Sequence, residues 1–324
     1  MTHKLDSPPS VAVLSQPLEG NAPLLLDDPR WAWVVDAGGV DVFAVEVAGG
    51  EAVGTRHYAF SVAPGGALFG FDLPNVGSSL GFLAVGAVGT RVRRLPVAEL
   101  RAQAADAASA DEVVALVEGW VAALAAGTVD GDTPQTEHQL APHLTAILAD
   151  GQRARSEKGV VWTELQAGAV LFLGQDGLIA GPDGARLPLA EPAWLQASGA
   201  ATLAVTSTAE AIGEDDGWRG LAAYHHAVLR AQARRIDARS AAEVDRLARA
   251  AEYERTVRQG ALTRLVGVLD DAPAAQPAGL AVDSLLAACQ LVGRSLGVAV
   301  RAPTRQDAEG KRDPLAEIAR SSRL

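Results

Sequence analysis

The chain has 324 residues (33.4 kDa), 48% apolar and 5% aromatic, a composition that gives an aliphatic core and excludes disorder over most of the length. The net charge of −11 is concentrated in residues 1–150, which hold eighteen acids against seven bases. That half repels nucleic acid and anionic lipid, and a nucleic-acid-binding role is not expected. A single cysteine, Cys289, excludes internal disulfides and multi-cysteine zinc sites.

Residues 1–22 read as a mobile leader without a signal-peptide core. Short strands follow: Trp31–Asp36, Val40–Val47, Arg56–Val62, Ala67–Phe71, Gly81–Val85 and Thr90–Leu95, separated by Gly-rich turns. In Val40–Val47 period-two alternation predicts one buried face and one wet face. This rhythm suggests a β-roll or jelly roll over residues 23–100. Ser109 and Glu112 form a capping-box pattern for a helix over 110–126, with Val113, Leu116, Val117, Trp120, Val121 and Leu124 on one stripe and Gly127 as its stop. Residues 109–150 are assigned to a helical linker containing a second, short helical piece.

β texture returns over 151–210, a second β unit without a residue-level repeat of the first. Residues 218–270 hold ten Arg against six acids and predict two helices, 218–238 and 241–269, the second capped by Ser240 with Glu243. This is an Arg-rich connector. A Pro/Ala linker over 272–279 leads to a helix over 281–296 that ends at Gly297. A last short helix, Asp313–Ser321, has nothing in sight to pack on, and the ending reads as an interrupted domain. The fold class is α+β: two antiparallel β-roll or jelly-roll units, a long helical connector and a helical C-terminal part. The longest uncharged apolar run, Val76–Thr90, is shorter than the roughly 20 residues of a membrane helix, so the segment is expected to be soluble.

Walker A, Rossmann, HExxH and GxSxG patterns are absent, and no catalytic residue is assigned. Cys289 lies on an apolar helix and reads as a packed thiol. His225-His226 sits mid-helix. Neighbours there point about 100° apart and cannot share a metal as an i,i+4 pair would, so the pair is placed on the helix surface and no metal is expected. Arg91 and Arg93 share a strand face, with Arg94 opposite. They either hold a phosphate bidentately or neutralise carboxylates on the β surface. Trp31 and Trp33 read as core, and Asp27-Asp28 as a turn.

Gly20–Pro29, Trp33–Phe43, Gly54–Tyr58, Pro64–Gly70, Leu187-Pro188-Leu189 with Trp194-Leu195, and Asp313–Ser321 occur in an order that resembles the N-terminal region of NHLM-type (nitrile hydratase leader microcin) bacteriocin-export ABC transporters, in their permease/ATP-binding subunit. The resemblance implies that residues 23–100 form a cyclic-nucleotide-binding-like β-roll, and that membrane helices and the ATPase lie downstream. The chain is then a non-catalytic docking region on the cytoplasmic face of the membrane. Its implied partners are the other exporter subunit and a leader-bearing peptide, with dimerisation through the membrane domain. No cofactor is expected in these residues, since ATP and magnesium belong to the longer parent.

In a working cyclic-nucleotide pocket, which the resemblance brings in, the phosphate cassette has Phe-Gly followed by Glu, a short helix and Arg-Ala-Ser/Thr. Here Phe69-Gly70 is followed by Phe71-Asp72, and the later stretch reads Gly89-Thr90-Arg91-Val92. Gly70, Asp72, Arg91 and Arg93 are the ligand-site candidates. Residues 280–324 resemble an incomplete cysteine-peptidase domain with Cys289 on its first helix. No His follows that Cys, which implies a degenerate, non-proteolytic segment. The alternative is a stand-alone sensor whose first roll binds a phosphorylated small molecule through Arg91 or Arg93.

Overall fold

The structure, a computed structural model, describes residues 15–73, 79–129, 134–174, 186–270, 284–302 and 314–322. The chain divides into two units, residues 1–238 and 239–324.

The first unit opens with eight strands: β1 (Ser15–Pro17), β2 (Leu24–Leu25), β3 (Trp31–Ala37), β4 (Val40–Ala48), β5 (Glu51–Val62), β6 (Ala67–Phe69), β7 (Ser79–Gly86) and β8 (Arg91–Pro96). They form two four-stranded antiparallel sheets, β1-β8-β3-β6 and β2-β7-β4-β5, which is the expected roll. Residues 15–22 belong to it rather than to a leader. β1 pairs with β8 in the register Ser15↔Arg93, and Leu18 is buried. Positions 1–14 lie outside the described residues. In β4 the even positions Val40, Val42 and Ala44 face the main core. The opposite face is not simply wet as expected: Asp41 is exposed, but Val45 and Val47 are buried with Leu83 in a satellite cluster beside Phe43 and Leu25.

Two helices follow, α1 (Val97–Ala104) and α2 (Ala110–Thr128). The apolar stripe of α2 is buried as its 3.6-residue period requires, but both predicted ends differ. Ser109 makes no cap: its hydroxyl donates to the carbonyls of Gln103 and Asp106 at 3.0 and 3.4 Å. Gly127 does not stop the helix. A Cβ there would come within 2.8 Å of the Phe60 ring, so the glycine lets α2 lie directly against β5.

His138–Leu140 and Thr145–Leu148 are strands joined by a turn, where a helical piece is expected. The second roll comprises β9 (His138–Leu140), β10 (Thr145–Leu148), β11 (Arg153–Ser156), β12 (Val160–Ala167), β13 (Val170–Phe172), β14 (Leu187–Ala190), β15 (Trp194–Ala197) and β16 (Ala201–Thr206). Its sheets are ordered β10-β16-β12-β14 and β13-β15-β11-β9. β10, β16, β12 and β14 occupy the places of β1, β8, β3 and β6, and β11, β15 and β13 those of β2, β7 and β4. β9 adds parallel to β11 at the edge. The plan also repeats after the strands, where α3 (Thr208–Ile212) and α4 (Asp215–Asp270) succeed β16 as α1 and α2 succeed β8.

α4 is one continuous helix, not the expected pair. Between Leu221 and Gln259 it contains neither Pro nor Gly, and Ser240 sits within it rather than before it. Up to residue 238 it is part of the core through Trp218, Leu221, Tyr224, Val228 and Leu229, while Gln232 donates to the Gly127 carbonyl at the end of α2 at 2.6 Å. Beyond residue 238, Val244, Leu247, Tyr253 and Val257 are exposed. That stretch carries the ion pairs Arg246–Glu243, Arg255–Glu252 and Arg258–Glu254 one turn apart.

In the second unit α5 (Ser284–Leu296) ends at Gly297, whose φ of +69° is the left-handed conformation of a helix stop. α6 (Pro314–Ser321) does have a packing partner. Ile318 is buried, and with Leu315 it lines an open apolar groove of about 440 Å³ beside Cys289 and Val292 of α5. Cys289 borders that groove and is half-buried.

Candidate functional site: a cleft beside the first roll

The two rolls differ in the connection that follows the sixth strand of the plan. In the second roll β14 and β15 are joined by three residues, Glu191-Pro192-Ala193; in the first, β6 and β7 are joined by nine, 70–78. The described start of the longer connection is pinned by backbone. Gly70 N–H donates to the Trp31 carbonyl at 3.0 Å and Phe71 N–H to the Leu26 carbonyl at 3.3 Å. A Cβ on residue 70 would come within 2.1 Å of the Asp28 carbonyl oxygen, so only glycine fits.

Phe71 is then driven inward, edge-on to Phe82 at 5.8 Å and tilted over the imidazole of His225 at 4.8 Å. His225 is 2% exposed, which corrects its expected place on the helix surface. The missed signal is a spacing: Trp218, Leu221, His225, Val228 and Gln232 recur at intervals of three and four, the buried stripe of α4. Trp120 Nε1 of α2 donates to His225 Nε2 at 2.7 Å. Burial, and secondarily the neighbouring His226, pushes the His225 pKa down to about 3, so the ring is neutral. Its Nδ1 is buried without a partner among the described residues. Half-buried His226 is also lowered, by desolvation first and Arg230 second, against an opposing pull from Asp72.

These groups border a cleft of about 70 Å³ whose lining includes Gly70, Asp72, Arg101, Trp218, His225 and His226. Arg101 lies over the Trp218 ring at 5.4 Å and pairs with Asp215 at 4.0 Å, with both ends of that pair exposed. Among the described residues no group of three or more His, Cys, Asp or Glu is arranged to hold a metal ion, and no helix is long and apolar enough to cross a membrane.

The four ligand-site candidates fall into two places. Gly70 and Asp72 line the cleft. Arg91 and Arg93 lie on β8, separated from β6 by β3. Arg91 donates to the Ser15 carbonyl at 2.6 Å and Arg93 pairs with Asp36 at 3.3 Å, so the structure does not bring these arginines to the connection. Arg94 stacks over half-buried Trp31 at 3.6 Å, and Trp33 is buried.

No family model matches the chain, and no curated protein matches it. Among solved structures it is similar to cAMP-bound PfPKA-R (141–441), at 11% identity over 67% of this chain and 80% of that one, TM-score 0.22. It is similar also to the regulatory domain of Toxoplasma gondii PKA with cAMP, at 14% identity, 65% and 80% coverage and TM-score 0.17. A third is the regulatory subunit of a cAMP-independent protein kinase A from Trypanosoma cruzi bound to guanosine, at 11% identity, 66% and 80% coverage and TM-score 0.19. Superpositions this loose carry no argument about ligand or fold. The two β-rolls are established by the strand orders of the chain itself.

Proposed function

We propose that the chain is a non-catalytic sensing region, in which the first β-roll takes a small ligand at its β6–β7 connection and α4 carries the response. One observation carries this reading: two rolls share a strand plan, yet only the first extends this connection, and it seats Phe71 of the connection directly on His225 of α4. Occupancy of a cleft with one wall on α4 favours one packing of that helix over another, which is the differential contact a sensor requires. A cavity of about 70 Å³ is far below the roughly 300 Å³ at which drug-sized sites begin, so a whole nucleotide would enter only by displacing Phe71 or α4. Calorimetry with cyclic mononucleotides and dinucleotides, paired with hydrogen exchange over residues 215–238, tests the reading. Heat with altered exchange in α4 supports sensing; ligand heat with α4 unmoved removes it.

A second reading rests on the resemblance of the ordered motifs to those of NHLM-type exporters: the same rolls serve as a docking region of a leader-peptide exporter, beside its partner subunit. Deleting residues 1–208 then impairs export in cells while leaving the exporter's ATPase rate largely intact. An immunoblot of host fractions separates the cases. A membrane band several times heavier than 33.4 kDa supports the exporter, and a free band near that mass supports a stand-alone sensor.

A further inference from the structure

Beyond residue 238 the apolar side chains of α4 lie open to solvent, and we propose that they form an antiparallel coiled-coil interface with α4 of a second copy of this chain. The proposal stands apart from the ligand reading of the first roll. Val244, Leu247, Val257 and Leu262 are each between 51% and 65% exposed. Together with their neighbours they follow a heptad. Val244, Ala251 and Arg258 fall at a, Leu247, Glu254 and Ala261 at d, and Val257 and Leu262 flank them at g and e. In sequence the next d-side and a-side positions of the repeat are Val268 and Leu265. Tyr253, also exposed, falls at c and lies off the seam.

Glu254 and Arg258 are the charged residues of that seam, and they decide the direction of the partner. In a parallel pair in register each would meet its own counterpart, two layers of like charge with nothing to offset their desolvation. In an antiparallel pair centred on Thr256, a faces d, and Glu254 meets Arg258 of the second copy on both sides of the centre. The same register sets Ala251 against Ala261, Ala248 against Leu262 and Val257 against its counterpart, and in sequence it sets Leu247 opposite a leucine and Val244 opposite a valine. Each chain already pairs Glu254 with Arg258. Exposed as it is, that pair is weak alone and redirects at little cost, and two of them face to face make a ring of alternating charge. Arg255, which meets its counterpart on the e flank, keeps Glu252 of its own helix. A groove of about 610 Å³, lined in part by Val292 and Leu296 of α5, adjoins the seam through Val257 and Ala261 and offers the same partner further apolar surface.

Sedimentation equilibrium of the full chain across the micromolar range tests the interface. The expected mass rises with concentration to about twice 33.4 kDa. Glu254→Arg and Arg258→Glu each place two like-charge layers in the seam and should raise the dimer dissociation constant roughly tenfold or more, while the double variant Glu254→Arg/Arg258→Glu should restore it. Both sites are exposed, and an unchanged tryptophan melt shows that each variant folds. For direction, Cys289→Ser removes the native thiol, and Ala251→Cys and Ala261→Cys are then oxidised separately and mixed. The mixture should yield a disulfide-linked dimer, and neither variant alone should. A chain that stays monomeric throughout the range is covered on this face by another segment or another kind of partner, and overturns the proposal. So does a dimer indifferent to the charge reversals, or one in which each cysteine variant links to itself.

Discussion

The imidazole of His225 accepts a hydrogen bond from the Trp120 indole at one nitrogen while it is almost wholly withdrawn from water, and both conditions oppose a second proton. Its folded-state pKa of about 3 lies below the unfolded value of about 6.5. Between those limits the unfolded chain binds more protons, so this contribution to stability is complete above about pH 6.5 and is lost as the pH falls toward 3. The slope approaches 1.4 kcal/mol per pH unit, or about 2 kcal/mol between pH 6.5 and 5. His226, also lowered, acts in the same direction. Asp28, held near 2 chiefly by its hydrogen bonds with Arg30, and Glu137 and Glu210, likewise lowered, contribute only in the more acidic carboxylate window. Urea unfolding at pH 7 and pH 5 should show the wild type clearly less stable at the lower pH, with His225→Gln much flatter because an amide oxygen keeps the Trp120 partner without titrating. Equal urea midpoints for the wild type at both pH values would mean that the ring is not held neutral inside the fold.

The pattern Ser-x-x-Glu occurs before three stretches of helical sequence, at Ser109, Ser207 and Ser240, and closes as a capping box in the structure only at Ser207. There the backbone is extended (φ −73°, ψ 162°), Glu210 N–H donates to Ser207 Oγ at 3.3 Å, and the Glu210 carboxylate accepts from Ser207 N–H at 2.9 Å. Ser109 has ψ near −6° and its hydroxyl is turned back to the preceding carbonyls, while Ser240 lies inside α4. Ser207→Ala should therefore cost about 1 kcal/mol, and Ser109→Ala and Ser240→Ala well under half of that, measured as shifts in urea midpoint. An equal loss at all three would mean that the motif, not the backbone, sets the cap. Sequence reasoning at Ser109 and Ser240 failed for this reason: residue types state which hydrogen bonds are available, whereas the N-cap dihedrals are imposed by what the preceding chain packs on. The same limit hid β9 and β10, whose short apolar alternation is decided by pairing with β11 and β16. The apolar stripe of α2 was legible because 19 residues of one period leave no competing arrangement. The cleft was half legible: Gly70 and Asp72 stood out in the sequence, but His225, 155 positions beyond Gly70, joins them only through tertiary packing.

At the scale of the molecule, the repeated strand plan is invisible to residue comparison because topology constrains only where apolar side chains fall, and many sequences satisfy it. Within the first unit the rolls share one core. A single buried cluster runs from Leu18 of the first roll through Trp120 of α2 to Trp162, Leu203 and Tyr224. Trp162 is tied to α3 through Thr208, and Tyr224 packs edge-on to Phe172. Neither roll has a separable interior, so residues 1–238 should unfold as one transition. Past Ala238 the apolar side chains of α4 at Val244, Leu247, Tyr253 and Val257 are exposed and add little to that core. All six tryptophans lie between Trp31 and Trp218, so intrinsic fluorescence reports this unit alone. A chain ending at Ala238 should melt by tryptophan fluorescence within about 2 °C of the full-length protein, since a change of 1 kcal/mol in a unit of this size moves the midpoint by roughly 2–4 °C. A chain ending at Val129 keeps the first roll and α2 but strips the second roll from the same core, and should show no cooperative transition. If the fragment ending at Ala238 melts more than about 5 °C early, residues 239–324 stabilise the rolls directly; if the one ending at Val129 melts cooperatively, the shared core is two cores.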